Sequence, residues 1–243
     1  MTRMRAMPSL SIRNGEPAPL TDVPALTVDD FREGVLVQVR RGARIAALFG
    51  QPLESDHVRL IAVLAHGDEG TLSLSSTVVA DAYPALTPDC AEAHWFEREI
   101  AEQWNVRPLG HPWLKRIRFH PTYRNGQHGW LAANHGPVPL PGVTEFFTVA
   151  GEEVHEVAVG PVHAGIIEPG HFRFSIVGEK VLKLEQRLGY VHKGIEHLFA
   201  HTPLIDGHRL AARVSGDSAV AYSWAYCQSV EGIARTAVPP PTR

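Results

Sequence analysis

Cysteine is nearly absent from this chain: 243 residues contain two, Cys90 and Cys227. Two thiols cannot supply a disulfide framework, a four-cysteine zinc site or an iron–sulfur cluster within one chain. Their scarcity fits a reducing compartment. Long apolar runs are missing as well. No stretch approaches the roughly 18 apolar residues that span a bilayer. The N-terminal MTRMRAMPSLSIRNGEPAPL lacks the apolar core of a signal peptide. A large charge of one sign is also lacking. The formal net charge of −3 gives no reason to expect nucleic acid or an anionic membrane as partner, so membrane association is expected only through other subunits. The remaining composition, 44% hydrophobic and 20% charged, is that of a globular protein with room for one large or two modest domains.

Along the chain, residues 1–20 are rich in Pro, Arg and Ser and read as a flexible tail. Thr27 caps a short helix with Asp29 and Asp30 in its first turn, where carboxylates suit the dipole. Three β-like runs follow, Ala43–Phe49, His57–Ala65 and Gly70–Val79, the last two joined by a hairpin signal at His66–Gly70. A helix is expected over Pro88–Trp104 with Thr87 as cap and Pro88 in its first turn. Trp95, Phe96, Ile100 and Trp104 would form its apolar face, and Glu97, Arg98, Glu99 and Glu102 its wet side. Residues 125–150, Gly- and Pro-rich at first, read as a linker. Short strands are expected at Phe146–Val149 and Val154–Val159, and a helix from Asp217 to Ala234. Residues from Gly160 onward are thin for an independent core, which suggests a domain that is incomplete here or completed by a partner.

The densest stretch in His, Gly and carboxylate is Gly160–Phe199, GPVHAGIIEPGHFRFSIVGEKVLKLEQRLGYVHKGIEHLF. Its β-like runs break at Gly178-Glu179, and His192–Phe199 reads as a helix start. Glu168 follows Ile166 and Ile167. A carboxylate in apolar company can shuttle protons, and a surface turn glutamate is an equal alternative. His197 and His201 have the i, i+4 spacing of metal ligands, but Phe199 and Ala200 stand where an HExxH motif needs its glutamate, so ordinary hydrogen-bonded histidines are favoured. Ser215-Gly216-Asp217-Ser218 lacks the GxSxG elbow of a hydrolase, and a helix cap accounts for it better.

Two segments together resemble a known lineage. Trp95–Pro121, WFEREIAEQWNVRPLGHPWLKRIRFHP, resembles the signature of the 30-kDa-type hydrophilic subunit of respiratory complex I: an E-R-E helix, a G-H-P turn and a basic-apolar run. GPVHAGIIEPGHFRF and LGYVHKGIEHLF are similar to the opening of the 49-kDa-type quinone-site subunit and of energy-converting nickel–iron hydrogenase large subunits, formate hydrogenlyase included, where both modules are fused in this order. The resemblance covers residues 25–235. It implies an α+β protein: a small N-terminal sandwich-like module over 21–124, then, over 151–243, the small antiparallel sheet and first helices of a mostly helical domain.

The resemblance implies a proton-transferring role for Glu168, with His163 and His171 at neighbouring family positions. Arg213 matches the start of the hydrogenase Arg-x-Cys-Gly-x-Cys motif, but Ser215 and Ser218 stand at both cysteine positions. Hydroxyls are poor ligands for nickel and iron. The second cysteine pair of the family lies beyond the end of this sequence, and Cys227 is not at a ligand position. The complex I quinone-site histidine and tyrosine fall at Ile167 and Gly216. Ala225–Glu231 resembles the helix that follows. The implied protein is a peripheral oxidoreductase subunit that binds no metal or cofactor itself. It would associate with an iron–sulfur small subunit and membrane subunits, with no nucleic acid, on the cytoplasmic face of the membrane. A nickel-binding hydrogenase fragment and a non-catalytic scaffold are the alternatives.

Overall fold

A computed structural model of the chain describes residues 7–119, 121–124, 145–236 and 239. The linker reading therefore falls largely outside the described residues. Helix and strand are mixed, as an α+β fold requires. The chain divides into two compact units, Met1–Pro137 with Glu196–Arg243, and Val138–Ile195.

The first unit is built on a mixed sheet of β1 (Leu10–Arg13), β2 (Ala25–Leu26), β3 (Arg44–Pro52), β4 (Val58–His66) and β5 (Thr71–Val79). The path is β1-β5-β4-β3, with β2 parallel to β5 beside Ser76 and Thr77. The three runs expected from sequence are thus the three long strands. Alternation decides the buried face: Val58, Leu60, Ala62 and Leu64 of β4 enter one hydrophobic cluster with Ile45 and Leu48 of β3. Two helices close that cluster. α1 (Val28–Arg40) is capped by Thr27 Oγ1, which accepts from Asp30 N at 3.1 Å, and contributes Phe31, Val35 and Leu36. α2 (His94–Trp104) contributes Ile100 and, from the turn before it, Ala93. Short parallel strands β6 (Ala82–Pro84) and β7 (Arg107–Leu109) flank α2.

Four expectations are corrected. Leu10–Arg13 is not tail but an edge strand, Leu10 opposite Leu74 and Ile12 opposite Leu72. α2 begins at His94 rather than Pro88. Thr87 does not cap it, because its hydroxyl donates to Glu97, and a 3₁₀ turn at Ala91–Ala93 leads in. The faces of α2 also differ from the amphipathic reading. Glu97, Arg98 and Glu102 are buried at 0%, 5% and 3% exposure, while Trp95 is 61% exposed. The charged groups point inward because each finds backbone partners in the flanking loops. Finally, Phe146–Val149 is not a strand. Phe146 lies across the second unit's sheet, its ring 4.6 and 4.5 Å from the Arg173 and Arg187 guanidinium carbons, and Phe147 N donates to Glu185 at 3.1 Å. These contacts hold the segment against side chains of the two strands that carry Arg173, Glu185 and Arg187.

In the second unit β8 (His155–Val159), β9 (His171–Val177) and β10 (Lys180–Arg187) form an antiparallel meander in the order β10-β9-β8. The break at Gly178-Glu179 is its second turn. Val157, Phe174 and Leu184 stand side by side on one face. Beyond β10, the described helices are α3 (Ile195–Phe199), α4 (Gly207–Ala211) and α5 (Ala219–Ala234). Ser218 occupies the cap position of α5 without a side-chain capping bond.

Candidate functional site

The loop between β8 and β9 carries the sequence candidates. Gly160 turns with φ +80°, and the loop base is then closed three times over. Gly170 N donates to Pro161 O at 3.2 Å, His163 Nε2 lies 2.7 Å from Gly170 O, and His171 Nδ1 lies 3.1 Å from Gly160 O. Each ring nitrogen facing a carbonyl must carry the proton. A Cβ on Gly160 would lie 2.2 Å from Gly170 O and 2.5 Å from His163 Nε2, so only glycine fits here. His163 and His171 therefore hold the loop's neck. At its tip, Ile166 and Ile167 are 86% and 52% exposed, and Glu168 is exposed beside them. The loop thus presents a carboxylate and two isoleucines outward from a rigid base.

Arg213, Ser215 and Ser218 belong to the other unit, in the turn between α4 and α5. Arg213 is exposed and both serines are half-buried, with Ser218 N donating to Ser215 O at 3.3 Å. His201 Nδ1 lies 2.9 Å from the His197 carbonyl, so this nitrogen is engaged with the helix backbone. Among the described residues no group of three or more His, Cys, Asp or Glu side chains is placed to hold a metal ion.

Sequence reasoning undervalued a second constellation, the charged side chains of α2. Glu97 accepts from Leu86 N, Thr87 N and Thr87 Oγ1 at 2.7, 2.9 and 2.6 Å. Arg98 donates through Nε and Nη2 to the carbonyls of Lys115 and Arg116, both at 2.8 Å. Glu99 pairs with Arg118 at 3.0 Å. Glu102 gathers three successive amides, Ile117, Arg118 and Phe119, at 2.8, 2.7 and 2.6 Å. The E-R-E motif is thus a staple: it ties α2 to the loop before it and to the basic-apolar run after the G-H-P turn. The signal available in sequence was the pairing of a carboxylate-rich helix with a following Arg- and Lys-rich loop.

Among the displaced protonation equilibria in this unit are those of Tyr83 and Cys90. Burial and the adjacent Glu97 carboxylate hold Tyr83 well above the ordinary tyrosine range. Burial and the Glu92 carboxylate push the Cys90 thiol up to about 11 from 9.0. The reagent-reactive form is the thiolate, and at pH 8 a group at about 11 is roughly one part in a thousand thiolate. Iodoacetamide is therefore expected to label half-exposed Cys227 in the folded chain and to reach Cys90 only after unfolding, as peptide mass mapping would read. The sign for stability follows. The folded state binds this proton more tightly, so its contribution is complete below pH 9 and is lost as pH rises toward 11.

Residues 40–130 match the family model described as "Respiratory-chain NADH dehydrogenase, 30 Kd subunit". The chain thus carries a domain of the complex I 30-kDa type, and its homologues are subunits of hydrogenase-type and complex I-type oxidoreductases. Hydrogenase-4 component G of Escherichia coli is 32% identical over 65% of this chain and 30% of its own length. Formate hydrogenlyase subunit 5 of the same organism is 29% identical over 82% of this chain and 38% of its own length. The C/D subunit of an NADH-quinone oxidoreductase from Phocaeicola vulgatus is 25% identical over 47% of this chain and 26% of its own length. The chain therefore spans less than half the length of these relatives. No helix among the described residues is long and apolar enough to cross a membrane.

Proposed function

We propose that the chain is a peripheral subunit of a membrane-bound oxidoreductase of the complex I or hydrogenase type, without a nickel–iron centre of its own. The observation that carries this reading is likeness through both modules: the similarity to formate hydrogenlyase subunit 5 extends over 82% of the chain, well beyond residues 40–130. The modules are 21–124 and 151–243. An iron–sulfur subunit and membrane subunits are the partners, at the cytoplasmic face, and the iron–sulfur clusters belong to those partners.

The donor set does not fit a nickel–iron centre. Ser215 and Ser218 offer hydroxyl oxygens where soft, bridging thiolates are needed. Cys90 lies in the core of the 30-kDa-type module, and Cys227 lies on α5.

Glu168 is the residue assigned to chemistry, as a proton carrier at the tip of a loop whose base His163 and His171 keep fixed. A partner covering Ile166 and Ile167 would exclude water around the carboxylate. Glu168→Gln removes the titrating group while keeping its shape. In the assembled complex, proton-coupled turnover is expected to fall about a hundredfold or more, the lower end of what positioned acid–base catalysis contributes. Unchanged turnover would instead favour a scaffold role, a reading that the solvent exposure of Glu168 in the isolated chain supports.

A further inference from the structure

The outer surface of α2 and the G-H-P loop has properties the staple does not explain. Trp95 and Trp113 are 61% and 52% exposed, with Leu109 exposed beside the turn. Large aromatic side chains left in water cost free energy unless something covers them. Beneath them lies a fixed cation: the Arg98 guanidinium carbon is 5.1 Å from the Trp95 ring centre and 4.9 Å from that of Trp113. Lys115 Nζ, on the exposed loop, is 4.6 Å from the Trp113 ring. His94 stacks on Trp113 at 6.0 Å and packs at 5.0 Å against His111.

The local carboxylates are all committed elsewhere. Glu97 and Glu102 are buried in the staple, Glu99 pairs with Arg118, and Glu92 accepts from the Cys90 thiol. Arg116 Nη1 lies 3.6 Å from Glu102 and Arg118 pairs with both Glu99 and Glu196, so among the described residues Lys115 is the surface cation of this loop with no carboxylate partner. The surface is therefore aromatic and net positive. Arg98 Nη1 is buried without a hydrogen-bond partner, and neither exposed indole N–H has one among the described residues. The carbonyls of Lys115 and Arg116 hold this guanidinium on two nitrogens, and the Glu102 carboxylate offsets part of its charge.

We propose that Trp95, Leu109, Trp113 and Lys115, with Arg98 beneath them, form a docking surface for an acidic segment of a partner protein. Charge complementarity selects this occupant. Carboxylates would accept from the indole N–H groups and from Lys115 Nζ while aliphatic side chains cover the ring edges. Arg and Trp are the residue types that dominate such interfaces. The surface is independent of the Glu168 loop, and its test does not require an assembly.

The full-length chain, labelled with ¹⁵N, is titrated with a synthetic peptide of alternating Glu and Leu, about twelve residues long. The indole N–H signals of Trp95 and Trp113 are expected to shift while the other tryptophans stay in place. Affinity is expected to fall about tenfold or more when Gln replaces Glu in the peptide, or when the chain carries Lys115→Glu or Trp113→Ala. Lys115 is exposed, so its reversal leaves the fold intact and keeps the comparison meaningful if Trp113→Ala destabilises the loop. Absence of any shift at millimolar peptide, or an equal response to the Lys–Leu analogue, would overturn the proposal. So would a stronger response to phosphatidylglycerol vesicles, which would make the surface lipid-binding.

Discussion

Glu97→Ala is expected to destabilise the 30-kDa-type module by about 3–5 kcal/mol, the range for removing one partner of a buried charged network. Glu97 is fully buried and accepts three hydrogen bonds, two of them from consecutive backbone amides. Truncation leaves Leu86 N–H, Thr87 N–H and the Thr87 hydroxyl in the interior without partners. Each such group costs about 1–3 kcal/mol, and the emptied volume adds to it. Glu97→Gln keeps the volume and one acceptor oxygen, so its cost should be smaller, about 1–3 kcal/mol. Urea unfolding of the full chain reads the difference, and hydrogen exchange should localise the loss to the turn at 85–90. A change below about 1 kcal/mol for Glu97→Ala would mean that water replaces the carboxylate and that the staple is ornamental.

Glu102→Ala should have an effect of similar size and different place, about 3 kcal/mol. Its carboxylate is the common acceptor for Ile117, Arg118 and Phe119, and it lies beside Arg116 and Arg98. Phe119 is held at φ +56°, a conformation that costs a bulky residue of order 1 kcal/mol and persists only while its surroundings impose it. Without the carboxylate, the loop from 115 to 119 loses its anchor and two cations lose their counter-charge. Hydrogen exchange of these three amides should rise about a hundredfold, following a local loss of about 3 kcal/mol. The 85–90 turn should be nearly untouched, since additivity holds for separate networks. Equal exposure of both loops in either variant would show that the staple unfolds as one piece and that its two ends are not independent.

Much of the scaffold was legible in sequence because local signals agreed with each other. The alternation in Val58–His66 and Thr71–Val79, the turn between them and the Thr27 cap all point to the structure that forms. The same holds for the meander broken at Gly178-Glu179 and for the helix ending at Ala234. What misled was α2. A helical wheel assigns charge to water, and here Glu97, Arg98 and Glu102 turn inward to satisfy loop backbone that lies far off in sequence. No periodicity contains those partners. Leu10–Arg13 failed for a related reason: a short edge strand takes its stability from β5, some sixty residues away, and its own four residues carry little signal.

The candidate site was legible in a different way. The motifs located the loop at 160–170, but its histidines face carbonyls across the neck, a geometry that spacing alone does not reveal. Glu168 stands at the tip as the remaining titratable group of that loop. The serines at 215 and 218 needed no structure to be read, because the argument rests on the chemistry of oxygen against sulfur.

The central claim is that this chain serves a complex I- or hydrogenase-type assembly without holding a nickel–iron centre. Its most direct test is the nickel-to-chain ratio, by plasma mass spectrometry, of the chain isolated under mild conditions from its detergent-solubilised assembly. The expected ratio is near zero, with iron remaining in the partner fraction. A ratio near one nickel per chain would contradict the account.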